Sequence, residues 1–351
     1  MDKAGRLVSR LATLKLAMGS SIFVVAFIFA AFLALIMIIV GFDWTYALIG
    51  TVLFILLQYL IGPAVVRAST HLQYLKPNEN PWLESTVKEL ADKSGISMPK
   101  LAIVPDKTPN AFVFGRTASD TTLAVHEGLL RNLNEDEVKS VIGHELGHIK
   151  HKDYIVMTVL SALPLIAYLV ARSTWTVARF SGSSRKREES EMRAALFAVG
   201  IISYIVYIIS LLCVMRLSRL REHYADAYSA YITGSPRNLE SALAKITYGL
   251  SLSPKPPSGA RAFYIEDPAM AKQEIQTIME KKEEYDLNKD GVLDERELEL
   301  AMEKEAKSAW VRMNTWFATH PPTFKRILLL REIEEEMESG RYTSDRVYAH
   351  V

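Results

Sequence analysis

Residues 134–153 read NEDEVKSVIGHELGHIKHKD, and the reading of this stretch decides the fold. Asn134 with Glu137 three residues on is a capping box, and Glu135 and Asp136 put negative charge on the first turn, where the helix dipole favours it. A helix continuing to about Lys152 follows. Within it, His144-Glu145-Leu146-Gly147-His148 is an H-E-x-x-H pattern. Its histidines fall one turn apart on one face, so their imidazoles can converge on one zinc ion. Glu145 lies beside them, placed to take a proton from an attacking water and pass it to a leaving amine. A five-residue pattern also arises by accident in helices whose Glu and His are merely solvated. The capped context argues against accident, and so does Gly147, which costs about 1 kcal/mol relative to alanine in mid-helix unless a close approach requires it.

Long uncharged runs surround this helix. The 351 residues carry a net charge of +1, which gives no reason to expect nucleic acid or an acidic partner, and their 49% apolar content is unevenly spread. The single cysteine, Cys213, excludes an intramolecular disulfide and reads as a packing residue. From Leu16 to Phe42 and from Trp44 to Val66, roughly 27 and roughly 23 residues pass without a charge, each enough to cross a hydrocarbon core of about 30 Å as helix. A tight turn around Gly41 and Asp43, with Trp44 and Tyr46 as interfacial anchors, makes them a hairpin. A cleaved signal peptide fits poorly, because the first run is too long and a second follows at once. Lys3, Arg6, Arg10 and Lys15 before the pair and Arg67 and Lys76 after it put both outer flanks on the cytoplasmic side. Two shorter runs, Tyr154 to Ala171 and Ala194 to Met215, make a second hairpin, for about four transmembrane helices in all; a buried amphipathic or re-entrant pair is the alternative.

A catalytic zinc needs a third protein ligand with its fourth position open. Glu222, in Arg221-Glu222-His223-Tyr224-Ala225-Asp226, lies roughly 10 Å of helix beyond the fourth apolar run, and His148 lies roughly 9 Å before the third. The two share a depth if both ends of the second hairpin emerge on one side. That match outweighs the cluster of Arg172, Arg179, Arg185, Lys186, Arg187 and Arg193, which charge counting alone would keep inside, and it places their loop outside. His223 is the alternative ligand. Asp226, one turn after Glu222, is placed to orient a zinc histidine through a hydrogen bond.

In the remaining soluble part, Asn80-Pro81 to Lys93, closed by Gly95, reads as a capped helix. Lys100 to Val104, Ala111 to Gly115 and Thr122 to His126 read as a small antiparallel sheet. Asn110, Ala111, Phe112, Val113 and Phe114 are either the edge on which an extended substrate adds as a strand or a plain structural strand. Ser181 to Glu191 reads as a flexible loop. Asp286, Asn288, Asp290, Asp294 and Glu297, with Gly291 and the backbone carbonyl of Val292, fit the twelve-residue EF-hand loop, flanked by helical patterns from Met270 to Tyr285 and from Leu298 to Lys307. Calcium is thus a second expected ion, with a charged surface turn as the alternative.

Extended to Gly-His-Glu-Leu-Gly-His-Ile-Lys-His-Lys-Asp, and taken with Ser218 to Asp226, these residues resemble the HtpX membrane protease family. The resemblance also takes in Pro109-Asn110-Ala111-Phe112, both hairpins, and Thr319-His320-Pro321-Pro322 with Arg326. It implies a mainly α integral membrane protein with an α+β gluzincin domain, one zinc on His144, His148 and Glu222, and Glu145 as general base. It further implies cytoplasmic-side cleavage of membrane proteins in quality control at a cell membrane, with His320 near the active site and Arg326 as a candidate oxyanion donor. The calcium loop departs from the family. The expected organisation is a hairpin at 1–75, catalytic segments at 76–153, 218–264 and 308–351, a second hairpin at 154–217 and the EF-hand-like insertion at 265–307. A CAAX prenyl protease is the runner-up, although by resemblance it has more spans. A non-catalytic sensor of zinc or calcium is a further reading, against which an intact Glu145 argues.

Overall fold

The structure, a computed structural model, describes residues 16–33, 44–180, 187–252, 264–266, 268–290, 293–306, 320–343 and 346–351. Its apolar runs are helical: α1 (Leu16–Leu33), α2 (Trp44–Thr70), α6 (Asp153–Phe180) and α7 (Arg187–Thr233). Among the described residues, three stretches are long and apolar enough to cross a membrane: Leu16–Leu33, Ile49–Thr70 and Arg193–Thr233. Phe23 and Phe27 on α1 and Leu53 and Leu57 on α2 are exposed, as lipid allows and water penalises. The third expected run lies within α6, and the expected turn around Gly41 and Asp43 lies outside the described residues.

One compact unit comprises Lys15–Gly62 and Val156–Leu217, the other Pro63–Ile155 and Ser218–Val351. In the second unit, α3 (Pro81–Ser94) begins at Asn80, whose side chain accepts the Leu83 N–H, and ends at Gly95 in the left-handed region. The helix α5 (Glu135–His151) has both bonds of its capping box and ends at Lys152, whose φ of 61° stops it before α6. The others are α4 (Glu127–Asn132), α8 (Pro236–Ser251), α9 (Pro268–Glu280), α10 (Lys282–Tyr285), α11 (Glu295–Ala306) and α12 (Thr323–Glu338). Ile275, Ile278, Tyr285, Ala301 and Met302, from the helices flanking the expected calcium loop, share one core with Ala244 of α8 and Phe324 and Ile327 of α12.

Two expectations are corrected. The sheet is mixed and four-stranded: β1 (Gln73–Tyr74), β2 (Lys100–Val104), β3 (Ala111–Gly115) and β4 (Thr121–His126) lie in the order β1-β2-β4-β3. Strands β2 and β4 are parallel, with Ala102 opposite Ala124, and only the outer pairs are antiparallel. Every residue of β4 is buried, as a strand covered on both faces and both edges must be. In addition, α7 begins at Arg187, so the end of the expected Ser181–Glu191 loop is helical and residues 181–186 lie outside the described residues.

Candidate metal centre

The site is made where α7 crosses α5 at close range. A Cβ on Gly147 would stand 3.1 Å from Ala225 Cα, and one on Gly143 would stand 3.0 Å from Ser229 Oγ. Only glycine lets the two helices approach this closely. Ser229 Oγ donates to the Ser140 carbonyl across the same seam at 2.6 Å. Glu222, Ala225, Asp226 and Ser229 lie at helical i, i+3, i+4 and i+7 spacing, so the seam carries Glu222 and Asp226 onto the histidine face.

His144 Nε2 lies 3.1 Å from His148 Nε2 and 3.4 Å from Glu222 Oε2, and His148 Nε2 lies 3.5 Å from Glu222 Oε1. Each ring turns its Nδ1 to a buried aspartate: His144 to Asp226 Oδ1 at 2.8 Å and His148 to Asp153 Oδ2 at 2.7 Å. An Nδ1–H donated to each carboxylate leaves both Nε2 lone pairs facing one another and a third, carboxylate donor. Among the described residues, Glu222 Oε2 has no hydrogen-bond partner. Burial alone would lower the His144 imidazole, yet Asp226 and Glu222 outweigh it and raise it to about 9, so the cavity is electron-rich. A tetrahedral zinc with nitrogen ligands at 2.0–2.1 Å needs donors roughly 3.3 Å apart, which this triangle meets. Among the described residues, His144, His148 and Glu222 are the one group of His, Cys, Asp and Glu side chains that converges in this way, and they can hold a metal ion.

Glu145 is buried beside them, and burial raises its carboxyl above the ordinary range against the opposing pull of His148 and His144. His320, just before α12, is buried with Nδ1 3.5 Å from Glu222 Oε2. His223 is half-buried and stands outside the converging group. The Arg326 guanidinium, expected near an oxyanion, binds both oxygens of Asp226 at 2.8 and 2.7 Å and donates to the Ile265 carbonyl at 2.7 Å. It therefore braces the aspartate behind His144. Arg221 Nε lies 2.9 Å from Asp153 Oδ1, so His148 has a matching aspartate–arginine pair. That pair was missed in the sequence reading, although Asp153 follows His148 by five positions and Arg221 precedes Glu222.

Residues 111–114 lie on β3, an edge of the sheet, next to Asn110, whose Oδ1 accepts the Ile265 N–H at 2.9 Å. In the expected calcium loop, Glu297 accepts backbone N–H groups from Leu287, Asn288 and Asp294, and Asn288 Oδ1 accepts one from Asp290. Asp286 lies at the start of this loop, and Val292 and Gly291 lie outside the described residues.

A buried triangle of donors that calls for a cation, with a carboxylic acid next to it in sequence, is the equipment of a metallohydrolase, and helices of membrane length make this one a membrane protein. Residues 77–334 match peptidase family M48, and the chain belongs to that family. It is 43% identical over 206 residues to the protease HtpX homolog of Methanothermobacter thermautotrophicus, covering 59% of this chain and 74% of that one. It is 32% identical over 276 residues to the protease HtpX homolog of Aeropyrum pernix, covering 79% and 82%. The crystal structure of S. mikatae Ste24p aligns with a TM-score of 0.48 at 16% identity, over 92% of this chain and 67% of that one. The protein is thus an HtpX-like membrane zinc metalloprotease.

Proposed function

We propose that this protease is an endopeptidase acting on misfolded or membrane-associated proteins at the cytoplasmic face of a cell membrane. It is multi-pass, with four transmembrane helices and one zinc per chain, and with a catalytic domain assembled from the segments on either side of the second hairpin. The observation that carries the reading is the convergence of His144, His148 and Glu222 beside Glu145. Zinc, when bound there, supplies Lewis acidity toward a water and a peptide carbonyl. Glu145 takes the proton of the attacking water and returns it to the leaving amine. His320 stands beside Glu222 as a donor toward the developing oxyanion. Arg326 acts through Asp226, keeping the His144 lone pair aimed into the site, and is a positioning residue in this reading. The substrate adds as a strand along Asn110 to Phe114, supported by the edge position of β3.

A calcium ion at Asp286, Asn288, Asp290, Val292, Asp294 and Glu297 is proposed as a modulator. The spacing of oxygen-bearing residues supports it, as does the core that the flanking helices share with α12, which carries Arg326.

Zinc removal tests the enzymatic reading. In vesicles, the protein should cleave unfolded casein, lose cleavage on chelation, and regain it with one equivalent of zinc. Cleavage that survives complete zinc removal would sink the proposal.

A further inference from the structure

We infer that Asp153 and Arg221 form a positioning pair for the metal ligand His148 and set how tightly the site holds its ion. The inference rests on the reading of His144, His148 and Glu222 as the zinc site. Asp153 is the first residue of α6 and is fully buried; its Oδ2 lies 2.7 Å from His148 Nδ1 and its Oδ1 2.9 Å from Arg221 Nε. A carboxylate at Nδ1 selects the tautomer whose Nε2 lone pair faces the ion and raises its basicity. Arg221 holds Asp153 through an ion pair where Arg326 holds Asp226 through two hydrogen bonds, so each histidine ligand is backed by a carboxylate and a guanidinium. The two arginines come from different elements: Arg326 from α12, Arg221 from α7 one residue before Glu222.

The pair also has a place in the chain that its counterpart lacks. The unit that holds the site gives up the chain after Ile155 and takes it back at Ser218. Asp153 and Arg221 stand at those two points, so their ion pair closes the root of the inserted apolar segment. The hydrogen bond to His148 makes that closure a condition of ligand alignment. A ligand whose ring rotates away from Nε2 convergence leaves the ion with two protein donors, and affinity falls.

The test is zinc affinity, measured by competition with a chromophoric chelator on the full-length protein in detergent, with thermal stability followed with and without zinc. Asp153→Asn keeps the shape but donates or accepts only weakly, and Arg221→Met leaves the aspartate without its partner. Each should weaken zinc binding about 10- to 100-fold, and the double variant should be little worse than either single one. Should those variants fail to fold, Arg221→Lys keeps the charge but loses the Nε contact and should still weaken binding several-fold. The inference is overturned if zinc affinity stays within twofold of wild type while melting falls equally with and without zinc, which is the signature of a purely structural staple. His148→Ala is the control: if it too leaves zinc affinity unchanged, the metal-site reading itself fails, whereas loss there with none at Asp153 and Arg221 overturns the positioning pair alone.

Discussion

His144 and His148 are each held at Nδ1 by an aspartate, so two rings on one helix present their other nitrogens to a shared point. The same helix ends in His151, whose Nε2 lies 2.8 Å from the Tyr348 hydroxyl and whose ring packs on Tyr224 and Tyr228. Burial brings the His151 imidazole down to about 4 from an ordinary value near 6.5. Between pH 6.5 and about 4 the unfolded chain takes up that proton and the folded one does not. The stability from keeping His151 neutral is therefore complete above pH 6.5 and is lost as pH falls toward 4, on the order of 2 kcal/mol allowing for partial exposure. His151→Phe should flatten this part of the acid limb in melting curves; an unchanged slope would refute it. At this scale the H-E-x-x-H pattern was readable because both ligands lie on one helix. Asp153 and Arg221 were not, because they meet only after the chain has left the unit and returned.

The crossing of α5 and α7 carries the next prediction. Gly147→Ala sets a methyl 3.1 Å from the Ala225 backbone, which can yield only if the helix moves, whereas at Gly143 the nearest atoms are the side chains of Ser229 and Thr233. Overpacking of about 1–3 kcal/mol at Gly147 outweighs the roughly 1 kcal/mol that alanine gains by helix propensity, and the displacement carries Glu222 away from the histidines. Gly147→Ala should therefore lower both melting temperature and zinc affinity, with Gly143→Ala milder in both; the reverse order would contradict the packing account. The need for a close approach at Gly147 was legible from the cost of a mid-helix glycine, but its partner was not. The sheet shows the same division. Turn residues and β-branched runs mark strands β2, β3 and β4, but strand order depends on which strand must be covered on both sides. That is a tertiary condition, met by β4 and invisible to local pattern.

Across the whole molecule, the uncharged runs led to an expectation of four transmembrane helices, and among the described residues three helices are long and apolar enough to cross a membrane; those were readable because uncharged runs of membrane length have few other uses. The loop proposed to bind calcium rests on this chain's own residues rather than on the resemblance. If it binds calcium, ordering Asp286 to Glu297 should stiffen the core shared with Phe324 and Ile327, and titrating calcium into chelator-stripped, zinc-loaded protein should raise the melting temperature and change the cleavage rate. No response in either would remove calcium from the account. The central claim concerns Glu145, and one comparison reaches it most directly: cleavage of casein and of a membrane substrate by wild type and by Glu145→Ala, with zinc content measured in both. Loss of cleavage by at least two orders of magnitude with zinc retained is the expected result; cleavage by Glu145→Ala equal to wild type would contradict the mechanism.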